Sequence, residues 1–206
     1  MRIELRQVGK RYKTEWILRQ VTLQLDDTQA YAITGPNGSG KSTLLRILSG
    51  HLTPSRGSIA HYIGARILPA DELYRHLAYA APYIDLIEEF TLLEALRFHQ
   101  QFKPFLDQRT PHDLLAILGL ESARNKPLRQ FSSGMKQRLK LALAICSNAD
   151  LLLLDEPTAT LDRQGITWYQ ELMQQFTPPD RLTIVASNVE EDFFCCETTI
   201  AIPDFK

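Results

Sequence analysis

The sequence has no excess of either charge: 23 Lys and Arg stand against 24 Asp and Glu, a net of -1 over 206 residues. Composition therefore supplies none of the basic surface that backbone binding to nucleic acid requires, and no nucleic-acid partner is expected. No apolar run reaches the roughly 18 residues that span a bilayer as a helix, and the N-terminal MRIELRQVGK has no apolar stretch resembling a signal peptide. The expectation is residence in the cytoplasm, with any membrane contact made through a partner. Cysteine is scarce and odd in number, Cys146, Cys195 and Cys196, with neither C-x-x-C nor metal spacing. That usage fits a reducing compartment and reads the adjacent pair as packing residues at the end of a short helix. Internal repeats, low-complexity tracts and long linkers are absent too. What is present is a 44% hydrophobic chain long enough for one well-buried domain.

Residues 35–43 read GPNGSGKST. Gly35, Gly40, Lys41 and Ser42 fill the pattern GxxxxGK[ST], with Pro36, Asn37, Gly38 and Ser39 between them and Thr43 after. Tyr31-Ala32-Ile33-Thr34 before the loop reads as a buried strand, and Leu44, Leu45 and Leu48 after it have helical spacing. Successive N–H groups of such a loop converge at a helix N-terminus that carries roughly half a positive charge, a ready site for a phosphate. Lys41 adds a point charge between β- and γ-phosphates, and the Ser42 hydroxyl is the expected Mg²⁺ ligand. Thr43 would support the α-phosphate. A glycine-rich turn built for packing alone has the same letters, so the rest of the chain has to decide.

Leu151 to Leu154 form an apolar run that ends in Asp155-Glu156-Pro157. Two carboxylates at the C-terminal end of a buried parallel strand lie where open α/β sheets bind ligands. Asp155 suits Mg²⁺ and Glu156 suits orienting or deprotonating an attacking water. Between loop and carboxylates lies Phe131-Ser132-Ser133-Gly134-Met135-Lys136-Gln137-Arg138, in which Ser132 reads as an N-cap. Alone, that is an ordinary capped helix.

The coarse pattern is α/β. Residues 2–8, 17–25 and 57–63 read as strands of a small antiparallel layer. Strands near 77–81, 151–154, 182–186 and 198–202, with helices between, make a mostly parallel sheet. Residues 83–149 read as largely helical, broken at Pro104, Pro111 and Pro127.

Tyr12, GPNGSGKST, FSSGMKQR, LLLLDEPT and Ala159-Thr160-Leu161-Asp162, in this order and spacing, resemble the ATP-binding cassette of ABC transporters, over about residues 1–200. The resemblance implies the ABC ATPase fold: a P-loop NTPase with an antiparallel β layer, an inserted helical subdomain at about 83–149, and residues 1–206 as one ATP-binding domain. It implies ATP and Mg²⁺ as cofactors. It implies that Tyr12 stacks on adenine, that Ser132 and Gly134 belong to a signature closing on the nucleotide of a second cassette, and that Asp162 belongs to the D-loop. It implies, too, a homodimer or heterodimer of cassettes on separately encoded transmembrane subunits, at the inner face of the cell membrane, with Phe90 to Phe98 in the surface that receives them. The short C-terminus and FSSGMKQR look most like small exporter cassettes.

Two departures from the family pattern carry information. Leu77-Ala78-Tyr79-Ala80-Ala81-Pro82 places Pro82 where the family has the Q-loop glutamine, and Asn188, after Ile184-Val185-Ala186-Ser187, stands where it has the switch histidine. Proline has no side-chain donor, and asparagine cannot acquire the charge of an imidazole. Ser133 and Met135 also replace a signature glycine and glutamine, while Ser132 and Gly134 are kept. The expectation is a slow ATPase with Glu156 as base and Lys41 and Asn188 on the γ-phosphate. The alternatives are an impaired ATP-binding half of a heterodimer and a soluble ABC ATPase outside transport.

Overall fold

The computed structural model describes residues 1–205. Strands β1 (Arg2–Tyr12) and β2 (Glu15–Asp26) form an antiparallel pair, followed by β3 (Tyr31–Thr34) and helix α1 (Lys41–Leu48). Strands β4 (Arg56–Ile63) and β5 (Arg66–Leu68) return to the first pair, so the antiparallel sheet has the order β2-β1-β4-β5. Helix α2 (Leu73–His76) leads into β6 (Leu77–Ala80), then come helices α3 (Leu92–Phe102), α4 (Pro111–Leu118) and α5 (Ser133–Ile145). Strand β7 (Leu151–Asp155), helix α6 (Arg163–Phe176) and strands β8 (Leu182–Ala186) and β9 (Thr198–Ala201) complete the chain. The second sheet has the order β6-β7-β8-β3-β9, and every adjacent pair in it is parallel.

This sheet is the wall between two cores, which explains why β7 is a leucine run and not an alternating strand. Leu152 and Leu154 enter the core beneath α3 to α6, whereas Leu151 and Leu153 enter the core shared with α1 and the antiparallel layer. Each buried leucine contributes about 2 kcal/mol from apolar burial. The helix ends are set by local chemistry. Thr91 and Glu94 form a reciprocal capping box at α3, and Thr110 and Asp113 form one at α4. Ser132 caps α5, accepting from the Met135 amide at 3.2 Å. At the opposite ends, buried Arg181 donates to the carbonyl oxygens of Ile145 (2.7 Å), Ala149 (3.1 Å), Phe176 (3.2 Å) and Ser147. One guanidinium therefore closes both α5 and α6.

Several sequence boundaries shift. Strands β1 and β2 run further than the alternation predicts because β-bulges between Leu5 and Arg11 break the period while pairing continues. Residues 83–91 are not helical, and Pro111 begins α4 at its first turn instead of breaking a helix, since its missing N–H is one that the first turn leaves unpaired. The short β5 and α2 carry too few residues for a period. Cys195 and Cys196 follow a 3₁₀ turn at Glu190–Asp192 and pack, half-buried, against the helical core.

Candidate nucleotide site

The C-terminal ends of β3, β8 and β7 are neighbours in the sheet, and each delivers part of the site. β3 runs into the glycine-rich loop. Gly35 has φ +146° and Gly40 φ +116°, and a Cβ at Gly40 would lie 2.8 Å from Ile17 Cγ2, so neither position accepts a side chain without strain. The loop turns on the Ser39 amide, which donates to Pro36 O at 3.0 Å, and α1 begins at Lys41.

Lys41 is 4% exposed, yet its ammonium is held inside the loop. It donates to Gly35 O at 2.8 Å and to Asn188 Oδ1 at 3.2 Å, while Asn188 Nδ2 donates to Asn37 Oδ1 at 2.8 Å. The residue after β8 thus links lysine and loop through one side-chain amide. Tyr12, at the end of β1, is 45% exposed, and its ring lies 5.4 Å from Lys10 Nζ. A cleft of about 250 Å³ is lined by Tyr12, Ile17, Asn37, Gly38, Gly40, Lys41, Ser42, Thr43 and Glu156. A second cleft continues from Asn37 and Glu156 to Ala159, Asn188 and Asp192.

Asp155 ends β7 at 1% exposure, and both its carboxylate oxygens lack a hydrogen-bond partner. Burial pushes its pKa up, opposed by the Ser42 hydroxyl nearby and by the positive charge of Lys41. A buried carboxylate with no donor is costly unless a cation completes it. Among the described residues no group of three or more His, Cys, Asp and Glu side chains is placed to hold a metal, so a cation here would be held by Asp155 and Ser42 with phosphate oxygens and water. That donor set suits Mg²⁺, a hard cation that keeps water and takes few protein ligands.

Glu156 follows with φ +46°, a left-handed conformation rare for a residue with a side chain, and its amide donates to Ala186 O at 2.8 Å. The turn that points it into the cleft stores strain, a common mark of working residues. Behind it, Gln137 of α5 donates to Pro157 O at 2.8 Å, and the buried Asp192 carboxylate accepts from the Thr158 amide at 3.2 Å and from the Ser187 hydroxyl. Burial also raises the Asp192 pKa. Gln137 lies within FSSGMKQR, but its hold on Pro157 is not legible there, and Asp192 carries no signal in the sequence, because each acts through a contact with a residue distant in the chain.

Ser132, Gly134 and Asp162 do not reach this cleft within the chain. Ser132 caps α5, the nearest atom to a Cβ at Gly134 would be Thr160 O at 3.5 Å, and Asp162 caps α6 by accepting from the Gly165 amide at 2.7 Å. Of the loop residues, Gly35, Pro36 and Ser39 shape the backbone behind the cleft wall.

A P-loop at the switch of a parallel sheet, a carboxylate pair on the next strand but one, an antiparallel layer and a helical insertion define the fold of an ABC-type P-loop ATPase. The family model described as "ABC transporter" matches residues 18–159, and the chain belongs to that family. A relative in Xylella fastidiosa, the cytochrome c biogenesis ATP-binding export protein CcmA, is 40% identical over 76% of this chain and 73% of its own length. The lantibiotic transport ATP-binding protein SrtF of Streptococcus pyogenes is 32% identical over 91% of this chain and 80% of its own. Among solved structures, the dimeric post-hydrolysis state of the ATP-binding cassette MJ0796 bound to ADP and Pi superposes with a TM-score of 0.81, at 26% identity, covering 97% of this chain and 93% of that one.

Proposed function

We propose that the chain is the ATP-hydrolysing subunit of an exporter, with residues 1–206 acting as one ATP-binding domain in which 83–149 is the helical subdomain. The observation that carries this reading is the partnerless Asp155 carboxylate beside Ser42 and the tethered Lys41. The adenine would stack on Tyr12, an interaction of about 1–3 kcal/mol that any base can make. The loop amides and Thr43 would hold the phosphates, with Lys41 exchanging Gly35 O and Asn188 for phosphate oxygens. Asp155 and Ser42 would hold Mg²⁺, whose chemistry there is to neutralise charge on the phosphoryl oxygens. Glu156 would accept the proton of the attacking water as its oxygen bonds to the γ-phosphorus and the bond to ADP breaks.

Ser132, Gly134 and Asp162 lie outside the cleft of their own chain, which suits a site completed by a second cassette, in a homodimer or a heterodimer. The names of CcmA and SrtF, an export protein and a transport protein, favour outward transport through separately encoded membrane subunits. The groove that would receive such a subunit is lined by Ile84, Leu86, Ile87, Phe90, Phe98 and Phe102 and has a volume of about 450 Å³; Phe102 is 71% exposed. Within the segment read from sequence, Leu92 and Leu96 are buried and take no part in the lining, which extends beyond Phe98 to Phe102. Docking there would hold the chain at the inner face of the membrane.

Pro82 and Asn188 favour slow turnover, and they also favour a second reading, an impaired half that needs a competent partner cassette. Tagged protein purified from gently solubilised membranes should bring down a multi-spanning protein in stoichiometric amount, whereas recovery of the chain without one overturns the transporter reading. ATP turnover that rises with the square of protein concentration supports a homodimer. Turnover that appears only on mixing with a second cassette rejects the homodimer in favour of the half-site.

A further inference from the structure

Pro82 leaves the loop after β6 without a side-chain amide, but the next residue brings a hydroxyl. The Tyr83 ring lies under the Arg46 guanidinium, 4.0 Å from centroid to Cζ, and its hydroxyl hydrogen-bonds that of Tyr79 on β6. Arg46 is four residues beyond Ser42 in α1, and residues four apart share a helix face about 6 Å apart along the axis. From the other side, Ala80 pairs with Leu154, so the chain leaving β6 emerges beside the Asp155 end of β7. The face of α1 and the register of β6 on β7 thus bring the loop that carries Tyr83 to the side of the site where Ser42 and Asp155 lie.

We propose that Tyr83 is a positioning residue of the metal site, its hydroxyl bonding a water of the divalent cation held by Asp155 and Ser42, a contact that Pro82 cannot make. The proposal rests on Mg-nucleotide occupying the phosphate-loop cleft. The hydroxyls of Ser42 and Tyr83 both lie close to the Asp155 carboxylate, yet neither carboxylate oxygen has a hydrogen-bond partner. The ring is held on two sides: Tyr79 and Tyr83 meet edge to face at 6.3 Å between centroids, and Arg46 lies over the Tyr83 ring. Groups that bond a metal's water commonly change metal affinity tenfold or more when removed.

The test uses the full chain and a fluorescent ATP analogue, titrated with MgCl₂ from an EDTA baseline, together with Mn²⁺ binding to the ADP complex read by electron paramagnetic resonance. Tyr83→Phe keeps the ring and the Arg46 stack. It should leave nucleotide affinity in EDTA unchanged while raising half-saturating Mg²⁺ and Mn²⁺ by about tenfold. Unchanged metal affinity in Tyr83→Phe overturns the proposal, as does an equal loss of nucleotide affinity with and without metal, which would make the residue a support for the loop only. If the wild-type chain binds the analogue with no dependence on Mg²⁺, the reading of the cleft falls and the proposal falls with it.

Discussion

Asn188 Oδ1 accepts a hydrogen bond from Lys41 Nζ at 3.2 Å, across 147 residues of chain. The lysine that would bind phosphate is therefore held by the residue standing at the family's switch position. Replacing Asn188 by alanine leaves Lys41 held by Gly35 O alone and removes the contact to Asn37, and we expect nucleotide affinity within about threefold of wild type but turnover lower by about tenfold or more. Asn188→His introduces a ring that can carry charge at neutral pH, and steady-state turnover should rise by about tenfold. A flat rate in Asn188→His would show that the missing imidazole does not limit the reaction.

The proposed roles of Glu156 and Lys41 separate chemistry from binding. Glu156→Gln keeps the shape of a side chain held at φ +46° but cannot accept a proton, so it should bind ATP normally and hydrolyse it about a hundredfold more slowly or worse. Lys41→Ala should lose tight binding instead. Equilibrium binding and single-turnover hydrolysis separate the two effects, and wild-type turnover in Glu156→Gln would remove the proposed base.

The metal role proposed for Asp155 sets function against stability. Its carboxylate is buried without a hydrogen-bond partner, and burial raises its folded pKa above the ordinary 3.8. The unfolded chain then ionises it more readily than the folded one. The resulting penalty is full above the raised folded value and disappears as pH falls below 3.8. Asp155→Asn should raise the thermal midpoint of the metal-free protein at pH 7, with the gain shrinking as pH is lowered, and should abolish the Mg²⁺ dependence of nucleotide binding. Scanning calorimetry in EDTA at two pH values reads the first effect.

Arg181 tests the framework. Its guanidinium serves four carbonyl oxygens, those of Ile145 and Phe176 at the ends of α5 and α6 and those of Ser147 and Ala149 in the segment before β7, and Arg181→Met strands them in a buried setting. The loss should reach about 3 kcal/mol or more, seen as a lower urea midpoint, and Arg181→Lys should recover little of it because one ammonium cannot span the fork.

How much of this was readable in advance depends on whether a residue works through its neighbours in sequence or through distant ones. GPNGSGKST could be read almost atom by atom because its chemistry is contiguous, and LLLLDEP because a strand buried on both faces must be apolar throughout. Ser132 was legible as a cap, a local device. The Lys41 to Asn188 bond, the Gln137 hold on Pro157 and the tyrosine pair beside Asp155 required the sheet order, which no local pattern states. The bulges in β1 hid its length, and Pro111 misled because the same ring that breaks a helix also begins one well.

The Asp192 carboxylate receives the Thr158 amide from the turn after β7 and the Ser187 hydroxyl from the turn after β8. The turn that carries Glu156 and the turn that carries Asn188 are therefore fastened to a single buried pin. A displacement of either turn would reach the other through that one carboxylate, so Asp192→Ala should let the two rims of the cleft move out of phase.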